Sequence, residues 1–276
     1  MAGAINTLLI TRSGAGRAES MMPAYSAQLF SFLEGSGSIH FPERETVRSS
    51  DITLNAPMLR AAPMILEGPV VNVGVSFTPL GWACFSGLAA DKVHDTAFDV
   101  SKVLAPERAR RFHDALGRAR EGAITLEEYA REIEDVIRQV CAASKHKPRE
   151  DHIKLVDAID AWLSAEFSPS VDDLYAAVDL GQRQVQRLCR RYYGVPPAQL
   201  VKRYRAIRAA MLLAHGELSE ELRDEVLSSY FDQAHLIHDI RRYTGRTPKG
   251  LIGETLAQDM LAPKGHGQSG RKLLEE

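Results

Sequence analysis

The chain has 276 residues, of which 45% are hydrophobic and 25% are charged, and its formal net charge is −2 at pH 7. This length allows about two domains of ordinary size, and the composition excludes a chain that is disordered throughout. No segment reaches the ~18 apolar residues needed to span a bilayer. The three cysteines are odd in number and scattered, which argues for a reducing compartment and against a disulfide framework or a zinc cluster. We therefore expect a soluble, cytoplasmic protein with no membrane partner and no bound metal.

The first part of the chain carries a β-strand pattern. Residues 1 to about 24 show little periodicity, so we expect a poorly ordered start. Farther along, Val71, Val73, Val75 and Phe77 alternate with polar or small residues, and several prolines in this region are incompatible with a long helix. The pattern predicts a small β-rich unit.

Two predicted helices follow the strands. Thr125 and Glu128 form a capping box at the start of the second helix. Its apolar face contains Ile133, Ile137 and Val140. This face could pack within the domain or form a homodimer, and the periodicity does not distinguish the two.

One later helix has a cationic stripe beside an apolar one. Arg183, Gln186, Arg187 and Arg190 recur at the spacing of one helix face, and no acidic residue occurs between residues 180 and 216. An ordinary solvated face mixes both signs of charge. Arginine and glutamine also have the donor and acceptor geometry that suits the edges of guanine and adenine. The stripe therefore predicts a DNA recognition helix.

A short helix and a tight turn precede this recognition helix. Ser170 is placed to cap the short helix, with Asp173 three residues later, and Gly181 lies in the turn. A short helix, a turn and a second helix with an exposed polar face form the unit that inserts its second helix into the major groove. We therefore expect a helix-turn-helix.

Two stretches carry a resemblance to a known family: LGQRQVQRLCRRYYGVPPAQLVKRYRAIRAAMLL and YFDQAHLIHDIRRYTGRTP. Together they resemble the AraC/XylS family of transcriptional regulators, because a recognition helix followed by G-x-x-P or G-x-T-P occurs twice. The resemblance covers residues 151–251 and implies binding to promoter DNA by two helix-turn-helix units. The helix from Pro197 to His215 would be about 28 Å long at 1.5 Å per residue. One turn of B-DNA is about 34 Å. The helix would therefore place the two recognition helices in successive major-groove segments on one side of the duplex.

The second unit departs from the family pattern. Ser219 and Asp232 are predicted N-caps, and the second recognition helix is expected from Gln233 to Thr244. Where the family usually has Gly-Phe, an apolar-Ala pair and often Arg, this chain has Ser229-Tyr230, Asp224-Glu225 and His238.

The predicted fold class is α+β. A β-rich sensor or dimerisation domain with two helices is expected in residues 1–143, and a linker in 144–150. The two helix-turn-helix units joined by a long helix are expected to make up an all-α DNA-binding domain in 151–251, and a disordered tail is expected in 252–276. The N-terminal half is also weakly similar to the cupin-like sensor domains that are often fused to this DNA-binding domain.

Candidate site residues follow from the stripe and from the family's motif positions. The predicted base contacts are Arg183, Gln186, Arg187, Gln233, His235 and His238. Phosphate contacts are expected from Arg190, Arg191, Arg205, Arg241 and Arg242, because phosphates position a protein without carrying sequence information. His235 has an alternative role as a buried structural residue, since the family keeps histidine there.

The predicted partners are double-stranded promoter DNA and an unidentified small-molecule effector, with RNA polymerase and a second copy of the chain as further candidates. No catalytic residue and no cofactor are predicted. A cupin-like metalloenzyme would need closely spaced His and carboxylate ligands, whereas His40, His94 and His113 are isolated. A repair methyltransferase carrying this domain would need a cysteine-rich metal site. A protein-interaction adaptor with a degenerate second unit also remains as an alternative.

Overall fold

The computed structural model describes residues 3–215, 226, 228–230 and 232–251. It confirms the predicted α+β class, because an antiparallel sheet with helices is followed by an all-helical part. The predicted cap at Ser219, the pair Asp224-Glu225 and the tail 252–276 lie outside the described residues. The predicted domain boundaries at residues 143 and 150 remain predictions.

In the described part of the chain, six strands form one sheet: β1 (Ile5–Met22), β2 (Gln28–His40), β3 (Thr46–Arg48), β4 (Ile52–Asn55), β5 (Ala62–Phe77) and β6 (Ala97–Asp99). The strand order is β1-β5-β2-β4-β6, with β3 paired to β2, and the pairs are antiparallel. The poorly ordered start predicted for residues 1–24 is wrong, because β1 pairs with β5 along nearly its whole length. That partner is distant in the sequence and therefore leaves no local signal.

Register irregularities bend the longest strands. They lie between Ser13 and Gly16 on β1 and on either side of Glu34 on β2. Gly35 has a φ of 71°, and a Cβ at this position would lie 2.5 Å from the carbonyl oxygen of Pro69, so glycine is required here. Residues of β1, β2 and β5 line a cavity of about 470 Å³ that is partly open to solvent.

The two faces of the sheet differ in character. Leu29, Leu54 and Val75 belong to the main hydrophobic core, which the sheet shares with helices α3 (Pro106–Arg120) and α4 (Leu126–Ala142). Because side chains alternate along a strand, Gln28 and Phe30 lie on the opposite face and line the cavity. Along the chain, the short helices α1 (Pro79–Ser86) and α2 (Ala90–Val93) connect β5 to β6, and a 3₁₀ turn (Val100–Lys102) follows β6 before α3.

Helix α4 begins at the predicted capping box formed by Thr125 and Glu128. Its residues Ile133, Ile137 and Val140 are at most 3% exposed and belong to the main core of the N-terminal part. The structure therefore supports packing within the domain and places no homodimer surface on this face. The periodicity could not decide between them, because an apolar stripe has the same spacing whichever partner covers it.

The all-helical part contains α5 (Glu150–Ala165), α6 (Val171–Ala177), α7 (Gln182–Tyr193), α8 (Pro197–His215), α9 (Gln233–Thr244) and α10 (Pro248–Leu251). Helices α5, α6 and α7 share one hydrophobic core, while α8 and α9 share another. The bounds of α8 and α9 coincide with the predicted ones. None of the helices in the described ranges is both long and apolar enough to cross a membrane.

Candidate nucleic-acid interface

Helix α7 separates its apolar and cationic residues onto opposite faces. Val185, Leu188 and Cys189 are fully buried in the core shared with α5 and α6. Four arginines of the same helix are exposed: Arg183, Arg187, Arg190 and Arg191. Ser170 caps α6 as predicted, although its hydroxyl accepts from the backbone N–H of Asp172 and not from Asp173. The core thus holds α7 in place and presents its arginines to the solvent.

Gln186 is half-buried at the edge of this cationic face. Its side-chain nitrogen donates a hydrogen bond of 3.1 Å to the hydroxyl of Tyr175 on α6. This contact fixes the orientation of the amide and leaves its carbonyl oxygen available to accept. Tyr175 was not among the predicted site residues, since a single tyrosine in a short amphipathic helix has the sequence signature of an ordinary core residue.

The acid-free run contributes fewer exposed charges than the sequence suggests. Arg203 and Arg208 on α8 are only 8% and 7% exposed. Arg208 donates to the carbonyl oxygens of Leu163 and Glu166 at 3.1 and 2.6 Å, where α5 ends. The last carbonyl groups of a helix lack intrahelical partners, so Arg208 supplies a cap for α5. These two arginines hold helices together and do not form part of the surface charge.

Arg205 lies at the junction between α8 and the second unit. Its side chain is 11% exposed, and its guanidinium donates a 2.8 Å hydrogen bond to the carbonyl oxygen of Ser229. The guanidinium carbon lies 4.1 Å from the centre of the Tyr230 ring, and one nitrogen lies 3.6 Å from the carboxylate of Asp239 on α9. This environment fits a structural role better than the predicted phosphate contact. Asp239 could not be recognised as a partner of Arg205 from the sequence, because the two residues are far apart in the chain.

The exposed face of α9 is less uniformly cationic than that of α7. Gln233, His238, Arg241 and Arg242 are exposed, whereas the side chain of His235 is 38% exposed. His235 stacks edge-on against Tyr230 with ring centres 5.5 Å apart. Both histidines approach Asp239, at 3.4 Å for His235 and 3.5 Å for His238. His235 therefore combines a partly exposed ring with the structural packing considered as its alternative role.

The carboxyl group of Asp160 on α5 lies behind the first unit. It accepts a 3.0 Å hydrogen bond from the hydroxyl of Tyr193 at the end of α7. Burial raises the pKa of Asp160 to about 6, although the bond from Tyr193 opposes this shift. The group lines a cleft of about 520 Å³ between the sheet and the helical part.

In the described part of the chain, the environments of the cysteines disfavour metal binding. All three cysteines are unpaired and buried, and burial raises the pKa of Cys141 and of Cys189 to about 12. Thiolates are the metal-binding form of cysteine, so these environments disfavour coordination. Within the described residues, no group of three or more His, Cys, Asp or Glu side chains is placed to hold a metal ion.

Both recognition helices end against the N-terminal part of the chain. Gly194 after α7 has a φ of 84°, and a Cβ there would lie 2.8 Å from Leu59. Gly245 after α9 has a φ of 74°, and a Cβ there would lie 2.4 Å from Met21 on β1. Each glycine thus combines a left-handed C-cap with a close contact between the two parts.

Arg246 anchors the second unit to β1. This residue is 7% exposed, and its guanidinium donates to the carbonyl oxygen of Met21 at 2.9 Å and to the hydroxyl of Ser20 at 2.7 Å. Backbone hydrogen bonds from Ala24 to Tyr243 at 2.7 Å and from Ala61 to Arg242 at 3.0 Å reinforce the contact. Arg246 was not among the predicted site residues, because its role depends on a strand more than two hundred residues away.

Residues 174–252 match a family model described as "Helix-turn-helix domain", of the AraC type. The C-terminal part of the chain is an AraC-type DNA-binding domain. Because this domain binds DNA, the protein is a DNA-binding transcription regulator. The match covers α7, α8 and α9, so it includes every predicted base and phosphate contact.

Beyond the AraC-type domain, similarity to solved structures is weak. ToxT from Vibrio cholerae O395 aligns over 92% of this chain and 97% of its own, with 11% identity and a TM-score of 0.49. Wild-type ToxT from V. cholerae strain SCE256 with bound unsaturated fatty acid aligns over 90% and 95%, with 8% identity and a TM-score of 0.48. The AraC-like transcriptional activator CuxR aligns over 81% and 76%, with 12% identity and a TM-score of 0.33. None of the curated proteins matches the chain in sequence.

Proposed function

We propose that the protein is a one-component regulator that reads a specific promoter sequence with its AraC-type domain and responds to a small-molecule effector bound by its N-terminal part. The observation that carries DNA reading is the exposed face of α7, where arginines project from a helix whose other face is fixed in a core. An exposed cationic helix of this size fits the major groove and the phosphates beside it. The proposal includes no catalytic step.

Individual roles follow from the positions of the side chains. We assign base contacts on the first unit to Arg183, Gln186 and Arg187, with Gln186 oriented in advance by its bond to Tyr175. Gln233, His235 and His238 are the corresponding candidates on α9. The exposed arginines flanking both faces are assigned to phosphates: Arg190, Arg191, Arg241 and Arg242. Arg205 is assigned the structural role that its contacts support.

The test is binding of the whole protein to DNA fragments recovered with it from cells. Replacement of both Arg187 and Arg190 by alanine removes one base contact and one phosphate contact, so affinity should fall by about 10²-fold. The matched control is the double replacement Arg110→Ala and Arg131→Ala, which removes two exposed charges from α3 and α4. A folded Arg187/Arg190 variant that binds as tightly as the control would contradict the proposal. Weak binding that does not depend on salt would favour the adaptor.

The effector response is proposed to pass through residues 20–25. Met22 and Tyr25 line the cavity in the sheet domain, while Met21, Ser20 and Ala24 contact the end of α9 and its following loop. One short segment therefore touches both the cavity and the second recognition helix. An effector that binds one arrangement of this segment more tightly than the other shifts the population of DNA-competent molecules.

Partners other than DNA are also part of promoter regulation. We propose that the protein recruits RNA polymerase when it is bound to operators beside promoters. A homodimer would need a surface other than the buried face around Ile133, Ile137 and Val140.

A further inference from the structure

The cavity in the sheet domain has the size and the lining of a small-molecule site. Its volume of about 470 Å³ lies within the usual range for ligand pockets. Much of its wall is apolar and aromatic, including Phe30, Phe32, Met64 and Leu66. Such a wall favours a ligand with an apolar body, because the transfer of apolar surface out of water is favourable.

Three buried amide side chains interrupt this apolar wall. Gln28, Asn55 and Asn72 are 5%, 1% and 4% exposed and all line the cavity. The side-chain oxygens of Gln28 and Asn72 and both amide atoms of Asn55 have no hydrogen-bond partner among the described residues. Burial of an unsatisfied polar atom is unfavourable, so several on one cavity wall indicate an occupant that pairs with them.

The pairing of the strands shows how these amides are arranged. Gln28 on β2 lies directly opposite Asn55 on β4, so their side chains share one end of the cavity. Asn72 on β5 is paired with Phe32, four residues farther along β2, which corresponds to about 13 Å of strand. The occupant therefore meets hydrogen-bonding groups at two separated points, with the Phe30 ring lining the wall between them.

The charges of the residues that line the cavity limit the class of ligand that it can bind. Among the described residues that line the cavity, the only one with a formal charge is Arg12, which is exposed on β1. A carboxylate placed beside Gln28 and Asn55 would be buried without a cationic partner, which is strongly unfavourable. Asn55 needs both a donor and an acceptor from its partner, and hydroxyl or amide groups provide both.

We infer that the cavity binds an elongated organic molecule with an apolar body, an uncharged hydroxyl or amide group at the Gln28–Asn55 end and a second hydrogen-bonding group at the Asn72 end. This inference rests on the proposed function, in which the N-terminal part holds an effector, and adds the chemical class of that effector. Ordered water is the competing occupant, since buried water commonly pairs with otherwise unsatisfied polar groups.

The test compares two probes of equal chain length with the full-length protein. 1,10-Decanediol is uncharged and carries a hydroxyl at each end, whereas decanedioate at pH 7.5 carries a carboxylate at each end. We expect the diol to bind at least tenfold more tightly in calorimetric titration. No binding of the diol, or equal or tighter binding of decanedioate, overturns the inference.

The variant Asn55→Leu separates a ligand site from structural or water-filled amides. The replacement removes two unsatisfied atoms, so the free protein should be as stable as the wild type or more stable, while affinity for the diol falls at least tenfold. The matched control is Asn6→Leu outside this cavity, where the amide donates a 3.0 Å bond to the carbonyl oxygen of Phe77. This control should lose stability and keep diol binding. Diol binding that survives Asn55→Leu contradicts the inference.

A separate measurement distinguishes failure of the proposed function from failure of the ligand assignment. DNA affinity is measured for the wild type with and without saturating diol. If the diol binds as expected but leaves DNA affinity unchanged, the ligand class stands and the effector role in regulation is rejected.

Discussion

The two recognition helices end alike but have different surroundings. Helices α7 and α9 both stop at a left-handed glycine that packs against the N-terminal part, at Leu59 and at Met21. The exposed face of α7 carries arginines with no acid on the helix, whereas α9 carries Asp239 close to both of its histidines. The first unit therefore offers the stronger attraction for DNA. Both units contact the N-terminal part: Ala83 of α1 belongs to the core of the first unit, and Arg246 anchors the second unit to β1.

The largest expected effect comes from removing base contacts on each unit in turn. Arg183→Ala with Arg187→Ala should cost about 2–6 kcal/mol of binding, or roughly 30-fold to 10⁴-fold in affinity, since each bidentate contact contributes about 1–3 kcal/mol. Gln233→Ala with His238→Ala should cost less than tenfold, because Asp239 weakens the attraction of α9 for DNA. Fluorescence anisotropy at fixed salt measures both. Equal losses would show that the two units share the reading of DNA.

The next largest effect is on the folding of the second unit. Arg205→Ala leaves Asp239, whose side chain is 8% exposed, without its buried arginine partner. Breaking such a pair costs about 3–5 kcal/mol, and chemical denaturation should show it. Amide exchange should accelerate in α9 more than in α7. As a control, the exposed Arg190→Ala should change stability by less than about 0.5 kcal/mol; an equal loss there would refute the structural role of Arg205.

A somewhat smaller effect is expected in the pH dependence of stability. It arises from the buried carboxyl group of Asp160, which lies behind the first unit. The pKa of Asp160 is about 6 in the folded protein and near 3.8 when unfolded, so the folded state binds more protons between these values. Stability should therefore fall as pH rises from 4 to 6, by roughly 3 kcal/mol at most. Asp160→Asn should flatten this slope in urea denaturation series. The exposed Asp114→Asn on α3 is the control and should leave the slope in place.

The smallest effect concerns phosphate contacts. Arg191→Ala on α7 and Arg241→Ala on α9 should each lower the slope of log affinity against log salt by about 1, with little change in sequence preference. Binding titrations at several salt concentrations give these slopes. A changed preference for one base position would instead identify the residue as a base reader.

The sequence predicted the helical part well because its signals are local. The caps at Ser170 and Asp232, the glycines after each recognition helix and the apolar spacing of α7 all act within a few residues. Strand β1 was missed because its pairing partner is distant. The structural roles of Arg203, Arg205 and Arg208 were missed for the same reason, since their carbonyl, aromatic and carboxylate partners are distant in the sequence.

The N-terminal cavity was also beyond reach of the sequence. Gln28, Asn55 and Asn72 are ordinary polar residues in strand-like stretches, and only the register of three strands brings them to one wall. Their meaning as a set depends on burial, which no spacing rule reveals.

The anchor at Arg246 limits how freely these two parts can be recombined. A chimera that joins residues 151–251 to an unrelated sensor would lose the carbonyl and hydroxyl groups that receive this guanidinium, together with the backbone bonds from Ala24 and Ala61. A buried cation would then face a foreign surface. Evolutionary exchange of the sensor in this lineage would thus require matching changes at Ser20, Met21 and Arg246, so the three positions should vary together among relatives that keep this arrangement.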